Sequence, residues 1–260
     1  TGRARAGLVA RRVTVLVDGL NEAALATLAG VPRVVLFDEV ASTMDETHRL
    51  AEQGAESGTV VITDRQSAGR GRFGRKWIAE AGHGLWLTCL ERYVEVTGLD
   101  VLSLRIGLAL APALDACAGA RVAIKWPNDL LVHRRKLAGI LVEARWRESK
   151  VEWVAIGVGV NLLVPPGQEG AAGLAAGTRR ADVIRAVVGA IRGACTVAGE
   201  LTADEMVAFS ARDAARDELL AEPAAGRARG ITTSGALVVE TDTGTEQFRR
   251  GSLVFASEVE

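Results

Sequence analysis

The chain has 260 residues, 48% hydrophobic and 24% charged, with a net charge of -1. That size and apolar content leave room for one large domain and a small one. The near-neutral balance argues against bulk nucleic-acid binding, which needs a basic face, and no apolar run of membrane-spanning length stands out. Arg3, Arg5, Arg11 and Arg12 interrupt any signal-peptide core. Cys89, Cys117 and Cys195 are odd in number and form no CxxC pair, which fits core packing in a reducing compartment. His48, His83 and His133 are too scattered to mark a metal site or a triad. The expected setting is cytoplasmic, with neither nucleic acid nor membrane as partner.

In chain order, Asn21–Leu28 has helical spacing behind a capping Asn21, and Val34–Phe37 reads as a strand. Ser42 or Thr43 can cap a helix whose first turn holds Asp45 and Glu46. Thr59–Thr63 is strand-like and Gly84–Leu90 reads as a buried strand. Leu104–Ala118 is helical in period, with Pro112 as an expected kink. Three β-like stretches follow: Val122–Lys125, Leu137–Glu143 and Glu152–Val160. Asp182 is expected to cap a helix with the stripe Val183, Ile184, Val187, Val188 and Ile191, and a last helix to run from Asp204 towards Leu220. Ala221–Ala228 reads as a linker, and Gly230–Glu240 and Gly251–Phe255 as short strands of a small β-barrel. The expected class is α/β (α+β), with one domain over 1–220 and the barrel over 221–260.

The densest chemistry is Gly69-Arg70-Gly71-Arg72-Phe73-Gly74-Arg75-Lys76-Trp77. Neighbouring guanidiniums repel and glycines lose entropy on ordering, so the run suits a loop closing over a phosphate or carboxylate. Its alternative is a solvated basic loop. The Gly69-x-Gly71-x-x-Gly74 spacing is not a dinucleotide fingerprint: Asp64–Ala68 separates it from the strand, and no helical stripe follows. No His-Arg-Asp, Asp-Phe-Gly or Gly-x-x-x-x-Gly-Lys-Ser/Thr string occurs, which removes kinase and P-loop readings.

Three further segments carry two readings each. Lys125-Trp126-Pro127-Asn128-Asp129 is a hairpin tip with a packed tryptophan, or a site where Asn128 reads a base edge or ribose while Asp129 holds a metal or orients an arginine. Arg134-Arg135-Lys136 is a solvated strand end, or it places Lys136 against an anion, with Gly139 clearing an approach to the backbone. Gly157 and Gly159 share one strand face, forming a floor for a flat ligand or relief for helix packing.

Gly-Arg-Gly-Arg-x-Gly-Arg-x-Trp, Lys-Trp-Pro-Asn-Asp, Arg-Lys-Leu-Ala-Gly-Ile-Leu-Val-Glu and Ile-Gly-x-Gly-x-Asn together resemble, in order and spacing, the motifs of biotin protein ligases. The resemblance is close over residues 35–165 and looser over Gly230–Phe255. It implies a mixed-sheet catalytic domain related to class II aminoacyl-tRNA synthetases, plus a C-terminal SH3-like β-barrel. The implied reaction joins biotin to ATP as biotinyl-5′-AMP, then transfers biotin to one lysine of a biotin carboxyl carrier domain. By that resemblance Ser42, Thr43 and Gln66 would bond the ureido ring. Gly69, Arg70 and Gly71 would close over the ring and its carboxylate, with Gly139, Gly157 and Gly159 completing the biotin pocket. Lys136 would contact the carboxylate and the α-phosphate. Arg72, Arg75, Trp77, Lys125, Asn128 and Asn161 would surround the adenylate, with Trp77 against adenine. Lys136, Arg70 and Arg72 are the implied catalytic groups. Mg²⁺ would bind mostly through phosphate oxygens, Asp129 being the one candidate protein ligand.

Met44 stands where the family usually carries a polar residue. About 30 residues precede the catalytic region, fewer than a winged helix-turn-helix needs, so the type without an N-terminal DNA-binding domain is expected. The rivals are a lipoate or octanoate ligase of the same superfamily and a biotin-sensing DNA-binding regulator. Monomer and homodimer are both open.

Overall fold

Strands whose central residues are buried on both faces build a seven-stranded sheet in the computed structural model, which describes residues 16–92 and 95–259. Arg3, Arg5, Arg11 and Arg12 lie outside the described residues. The strands are β1 (Arg33–Val40), β2 (Thr59–Gln66), β3 (Gly84–Glu91), β4 (Ala123–Lys125), β5 (Asp129–Val132), β6 (Arg135–Arg147) and β7 (Lys150–Asn161). Their spatial order is β1-β2-β3-β7-β6-β5-β4; β1 and β2 run parallel and the other pairs antiparallel, so the sheet is mixed as expected. The helices are α1 (Glu22–Ala29), α2 (Thr43–Glu52), α3 (Leu102–Ala118), α4 (Arg180–Cys195) and α5 (Ala203–Arg212).

Alternation gives the sheet two different faces. On one, Leu85, Leu87, Ile140, Val154, Ile156, Val158 and Val160 join the apolar sides of α1, α3 and α4 in the main core. On the other, cross-strand register sets Trp86 and Thr88 beside Gly159 and Gly157, and those beside Gly139 and Leu141. Helix α2 packs on this second face over β2, β3 and β7, leaving the stretch towards β5 uncovered by helix.

A second, antiparallel sheet follows: β8 (Leu219–Glu222), β9 (Gly226–Ile231), β10 (Leu237–Thr241), β11 (Gly244–Phe248) and β12 (Val254–Phe255), in the order β11-β10-β9-β8-β12. It is consistent with the expected SH3-like barrel. Trp126 Nε1 donates to Gly235 O at 2.9 Å, and the Arg134 guanidinium lies 4.2 Å from the Phe255 ring, pinning it to the β4–β5 hairpin and the turn before β6.

Several expectations are corrected. Strand β2 continues through Asp64–Gln66 because Arg65 and Gln66 pair with Glu39 and Val40. Asp182 does not cap α4; it sits in the first turn, and Ala181 N is met instead by Asp18 Oδ2 at 2.8 Å. The last helix stops at Arg212, where Asp213 turns extended and Ala214 N pairs with Ile124 O at 2.9 Å. Ala221–Ala228 is not a linker, since it holds parts of β8 and β9, with Leu220 and Ala228 buried. A turn at Thr232–Ala236 divides Gly230–Glu240, and β11, wholly polar but for Phe248, had no apolar signal to reveal it. The helical stretch Val96–Ala118 has 23 residues and contains an 18-residue window of mean hydropathy 1.6, long and apolar enough for a span. Its apolarity serves the core: Leu104, Ile106, Leu110 and Leu114 are buried there, and Arg105 donates to Glu205 and to the carbonyl of Glu200.

Ile156→Ala, at a fully buried site in the middle of β7, is expected to cost about 2–5 kcal/mol. Urea unfolding checks this: the midpoint falls while the slope stays unchanged.

Candidate active site

The uncovered part of the second face holds a cavity of about 240 Å³. The N-terminus of α2 forms one wall. Ser42 caps that helix by accepting from Met44 N at 3.3 Å. Thr43 is fixed three times: its backbone N and its hydroxyl donate to Gln66 Oε1 at 2.8 and 3.2 Å, and Thr88 Oγ1 donates to its hydroxyl at 2.8 Å. With the Gln66 oxygen engaged, its amide nitrogen is the donor left for a ligand.

Glycines form the floor. Gly139 pairs with Gly159 across β6 and β7, and the Trp77 ring lies directly on them. A Cβ would come within 2.7 Å of that ring at Gly159 and 2.9 Å at Gly139. Met44 Cε covers Gly157, 3.2 Å from where a Cβ would stand. The floor expected to take a flat ligand is thus covered by two of the chain's own side chains. Trp77 Nε1 is buried there without a hydrogen-bond partner.

The glycine–arginine loop folds back as a short hairpin. Trp77 N donates to Gly69 O at 2.9 Å, Gly71 N donates to Arg75 O at 2.7 Å, and Arg70 bridges Lys76. Its arginines differ in their partners. Arg70 donates Nε and Nη2 to the two oxygens of Glu143, each at 3.1 Å, and Nη1 to Asp45 at 2.6 Å. Carboxylates of β6 and α2 therefore compensate it, whereas the sequence pointed to a cation free for an anion. Arg72 reaches Asn128 Oδ1 at 3.3 Å and Gly251 O at 3.2 Å, and Arg75 reaches Ser252 Oγ at 3.0 Å. Those partners are neutral. Burial pulls the Arg72 guanidinium below its ordinary value, with Asp129 acting in the opposite direction.

A bulge aims Lys136. Leu130 pairs with Ala138 and Leu131 with Lys136, so Leu137 is an extra residue that turns Lys136 into the cavity. Its Nζ sits 2.8 Å from Asp129 Oδ1 and 4.9 Å from the Trp77 ring. Asn161 Nδ2 holds the Lys136 carbonyl from behind at 3.1 Å. Asn128 spends its amide within the protein, donating to Ile140 O at 2.9 Å. Lys125 Nζ lies 3.6 Å from Glu258 Oε2.

Ser42, Thr43, Gln66, Arg70, Gly71, Arg72, Arg75, Trp77, Lys125, Asn128, Asp129, Lys136, Gly139, Gly157 and Gly159 all line the one cavity. Gly69 and Asn161 are not on its lining; Gly69 lies against Gln66 and Trp77, where a Cβ would meet Trp77 O at 2.7 Å. Asp129 is the sole carboxylate on the lining and is paired with Lys136, and no group of three or more metal-ligating side chains converges among the described residues. That donor set does not fit a protein-held metal ion. Sequence reasoning missed Glu143 and His48 as partners of the loop. Their link spans 95 positions and forms only when α2 packs on the sheet.

Two family models match the chain: the biotin/lipoate A/B protein ligase family over residues 36–161, and the biotin protein ligase C-terminal domain over 218–253. The chain thus carries a domain of the biotin/lipoate A/B protein ligase family followed by the C-terminal domain of biotin protein ligases. The first model ends on Asn161, the last residue of β7, and the second spans β8 to the edge of β12. A bifunctional ligase/repressor BirA from Bacillus spizizenii is 38% identical over 130 residues, covering 50% of this chain and 40% of that protein. A biotin–acetyl-CoA-carboxylase ligase from Paracoccus denitrificans is 41% identical over 127 residues, covering 48% of this chain and 52% of that protein. The matches thus span about two fifths to one half of those relatives. The solved biotin protein ligase from Aquifex aeolicus, in complex with biotin and ATP, has the same fold, with a TM-score of 0.67 at 24% identity over 85% of this chain and 97% of that one.

Within this biotin protein ligase fold, Glu143 is the most strongly perturbed group of the loop's surroundings. A hydrogen bond from His48, and then one from Arg70, hold its carboxyl down at about 2 against the effect of burial. Its stabilising contribution is complete above the ordinary value of 4.5 and is lost as pH falls through about 2. Glu143→Gln is therefore expected to be less stable than wild type near neutrality, with the gap closing in acid. Urea unfolding near neutrality and at about pH 3 tests this; a gap of constant size contradicts it.

Proposed function

We propose that this protein is an ATP-dependent ligase that activates biotin as biotinyl-5′-AMP and passes it to a lysine of a biotin carboxyl carrier protein. One observation carries the reading: a single cavity joins the hydrogen-bonding wall of α2, beside Gly157, to the cations Arg72, Arg75, Lys125 and Lys136, beyond Gly159. A neutral polar ring fits the first end and a triphosphate the second. The names of the Paracoccus and Aquifex relatives support this assignment of ligands.

In the first half-reaction a biotin carboxylate oxygen attacks the α-phosphorus of ATP, and the α–β bridging bond breaks to release pyrophosphate. In the second, the carrier lysine amine attacks the acyl carbon and AMP leaves. Two anions must meet in the first step, and Coulomb repulsion opposes it. Lys136, turned inward by the bulge, and Arg72, desolvated and without a carboxylate of its own, are set to offset that repulsion and the charge building on the phosphate. Asp129 holds the Lys136 ammonium in place before substrate arrives. Ser42, Thr43 and the Gln66 amide would bond the ureido ring, and Trp77 would pack against adenine. Arg70, already neutralised by Glu143 and Asp45, serves the loop rather than the phosphate. ATP would bring Mg²⁺ on its own phosphate oxygens, and no step is assigned to the ion.

The first family model also covers lipoate ligases, while the C-terminal model favours biotin. Pyrophosphate exchange into ATP, with biotin, lipoate and octanoate supplied separately, decides between them. Exchange with biotin alone, lowered about 100-fold in Lys136→Ala, is the expected result. Exchange with lipoate or octanoate instead would move the chain to the sister reaction, and none with any acid would sink the ligase reading.

The loop supplies an independent check. Biotin plus ATP should slow tryptic cleavage between Arg70 and Lys76 by about tenfold as the loop closes on them. An unchanged rate would mean that it does not close on ligand.

A further inference from the structure

Arg70 is the first residue of the loop to be tied to the sheet, and the tie leads away from the cavity. Glu143, which accepts from Arg70 through both oxygens, also faces His48, whose Nε2 lies 3.0 Å from Glu143 Oε2. Behind the imidazole, Trp153 Nε1 donates to His48 Nδ1 at 3.0 Å. An indole nitrogen only donates, so Nδ1 must accept, which places the imidazole proton on Nε2 and directs it at Glu143. Trp153 is itself buried: it is 3% exposed, packs with Ala51 and Leu90, and has the Arg92 guanidinium 5.5 Å from its ring. Register sets Glu143 and Trp153 on the same sheet face, opposite Ala155 and Arg145.

We propose that Glu143, His48 and Trp153 are positioning residues that hold Arg70, and through it the Gly69–Trp77 loop, closed over the cavity. Trp153 fixes the imidazole, the imidazole fixes the carboxylate, and the carboxylate fixes both prongs of the guanidinium fork. None of the three is among the cavity's lining residues. Arg72 and Arg75 hold the far limb of the same loop through neutral partners, so the charged anchor is the one at Arg70. A loop that is closed only part of the time binds ligand more weakly in proportion to its closed fraction, while turnover from the closed complex is unchanged. The latch should therefore appear in KM and not in kcat. That kinetic consequence rests on the ligase reading; the latch itself does not.

The test compares the full chain with Glu143→Gln, His48→Leu and His48→Gln, the last keeping an N–H donor near the Nε2 position. Tryptic cleavage within the loop, without ligand, should be about tenfold faster in Glu143→Gln and His48→Leu and near wild type in His48→Gln. Pyrophosphate exchange should show the biotin KM raised by a similar factor in the first two, with kcat within about twofold. Equal cleavage rates in all four proteins, or a loss confined to kcat, would overturn the proposal. A wild type inactive in exchange, but with the predicted order of cleavage rates, would remove the ligase reading and leave the latch standing. An active wild type with no difference in cleavage would do the reverse.

Discussion

The register between β6 and β7 is the constraint on which the rest depends. Gly139 opposite Gly159 and Leu141 opposite Gly157 put the glycines on one face, and the same register sends Ile140, Val154, Ile156 and Val158 to the other. A slip of one residue would exchange the faces, putting the apolar residues into the cavity and the glycines into the core. The helices α3 and α4 thus secure the site without touching it. By burying one face they fix where every residue of the other must stand.

Charge is divided on the same principle of fixed position. Arg70 is compensated and acts as a tether; Arg72 and Arg75 are held by a carbonyl and a hydroxyl, which direct a guanidinium without cancelling it. Lys136 lies between these cases, paired with Asp129 yet inside the cavity. The loop therefore carries three arginines with different duties, set by the partner each one finds. Repulsion among them is relieved because Arg70 is compensated by Glu143 and Asp45, which leaves two of the three, Arg72 and Arg75, on neutral partners.

Much of this was legible in the sequence because it is local. The Ser42 cap, the hairpin at Asn128, the buried β3 and the glycine pair of β7 follow from spacing alone. What escaped depends on contacts between distant segments. Asp45 reads as a first-turn carboxylate favouring a helix dipole, and only the folded loop gives it Arg70 as a partner. His48 looked like an isolated histidine because its two partners lie on strands 95 and 105 positions away in the chain. Asp182 looked like a cap, but the helix end is met by Asp18, from a turn ahead of α1. The edge strand β11 was invisible for a different reason: it is exposed, so nothing selects an apolar pattern in it.

The segment leading into β12 reaches the cavity through Ser252 and Leu253, and Gly251 and Ser252 receive Arg72 and Arg75. Those two arginines consequently belong to both parts of the molecule at once. An anion that draws them inward must release or reorient the second sheet's grip, and the balance between these states enters the binding free energy of the anion. By thermodynamic reciprocity, a partner that binds the small sheet more tightly in one of those states than in the other alters the affinity for that anion by the same factor as the anion alters its own. The segment least like an active site in its composition is thereby a lever on the Arg72 and Arg75 end of the cavity.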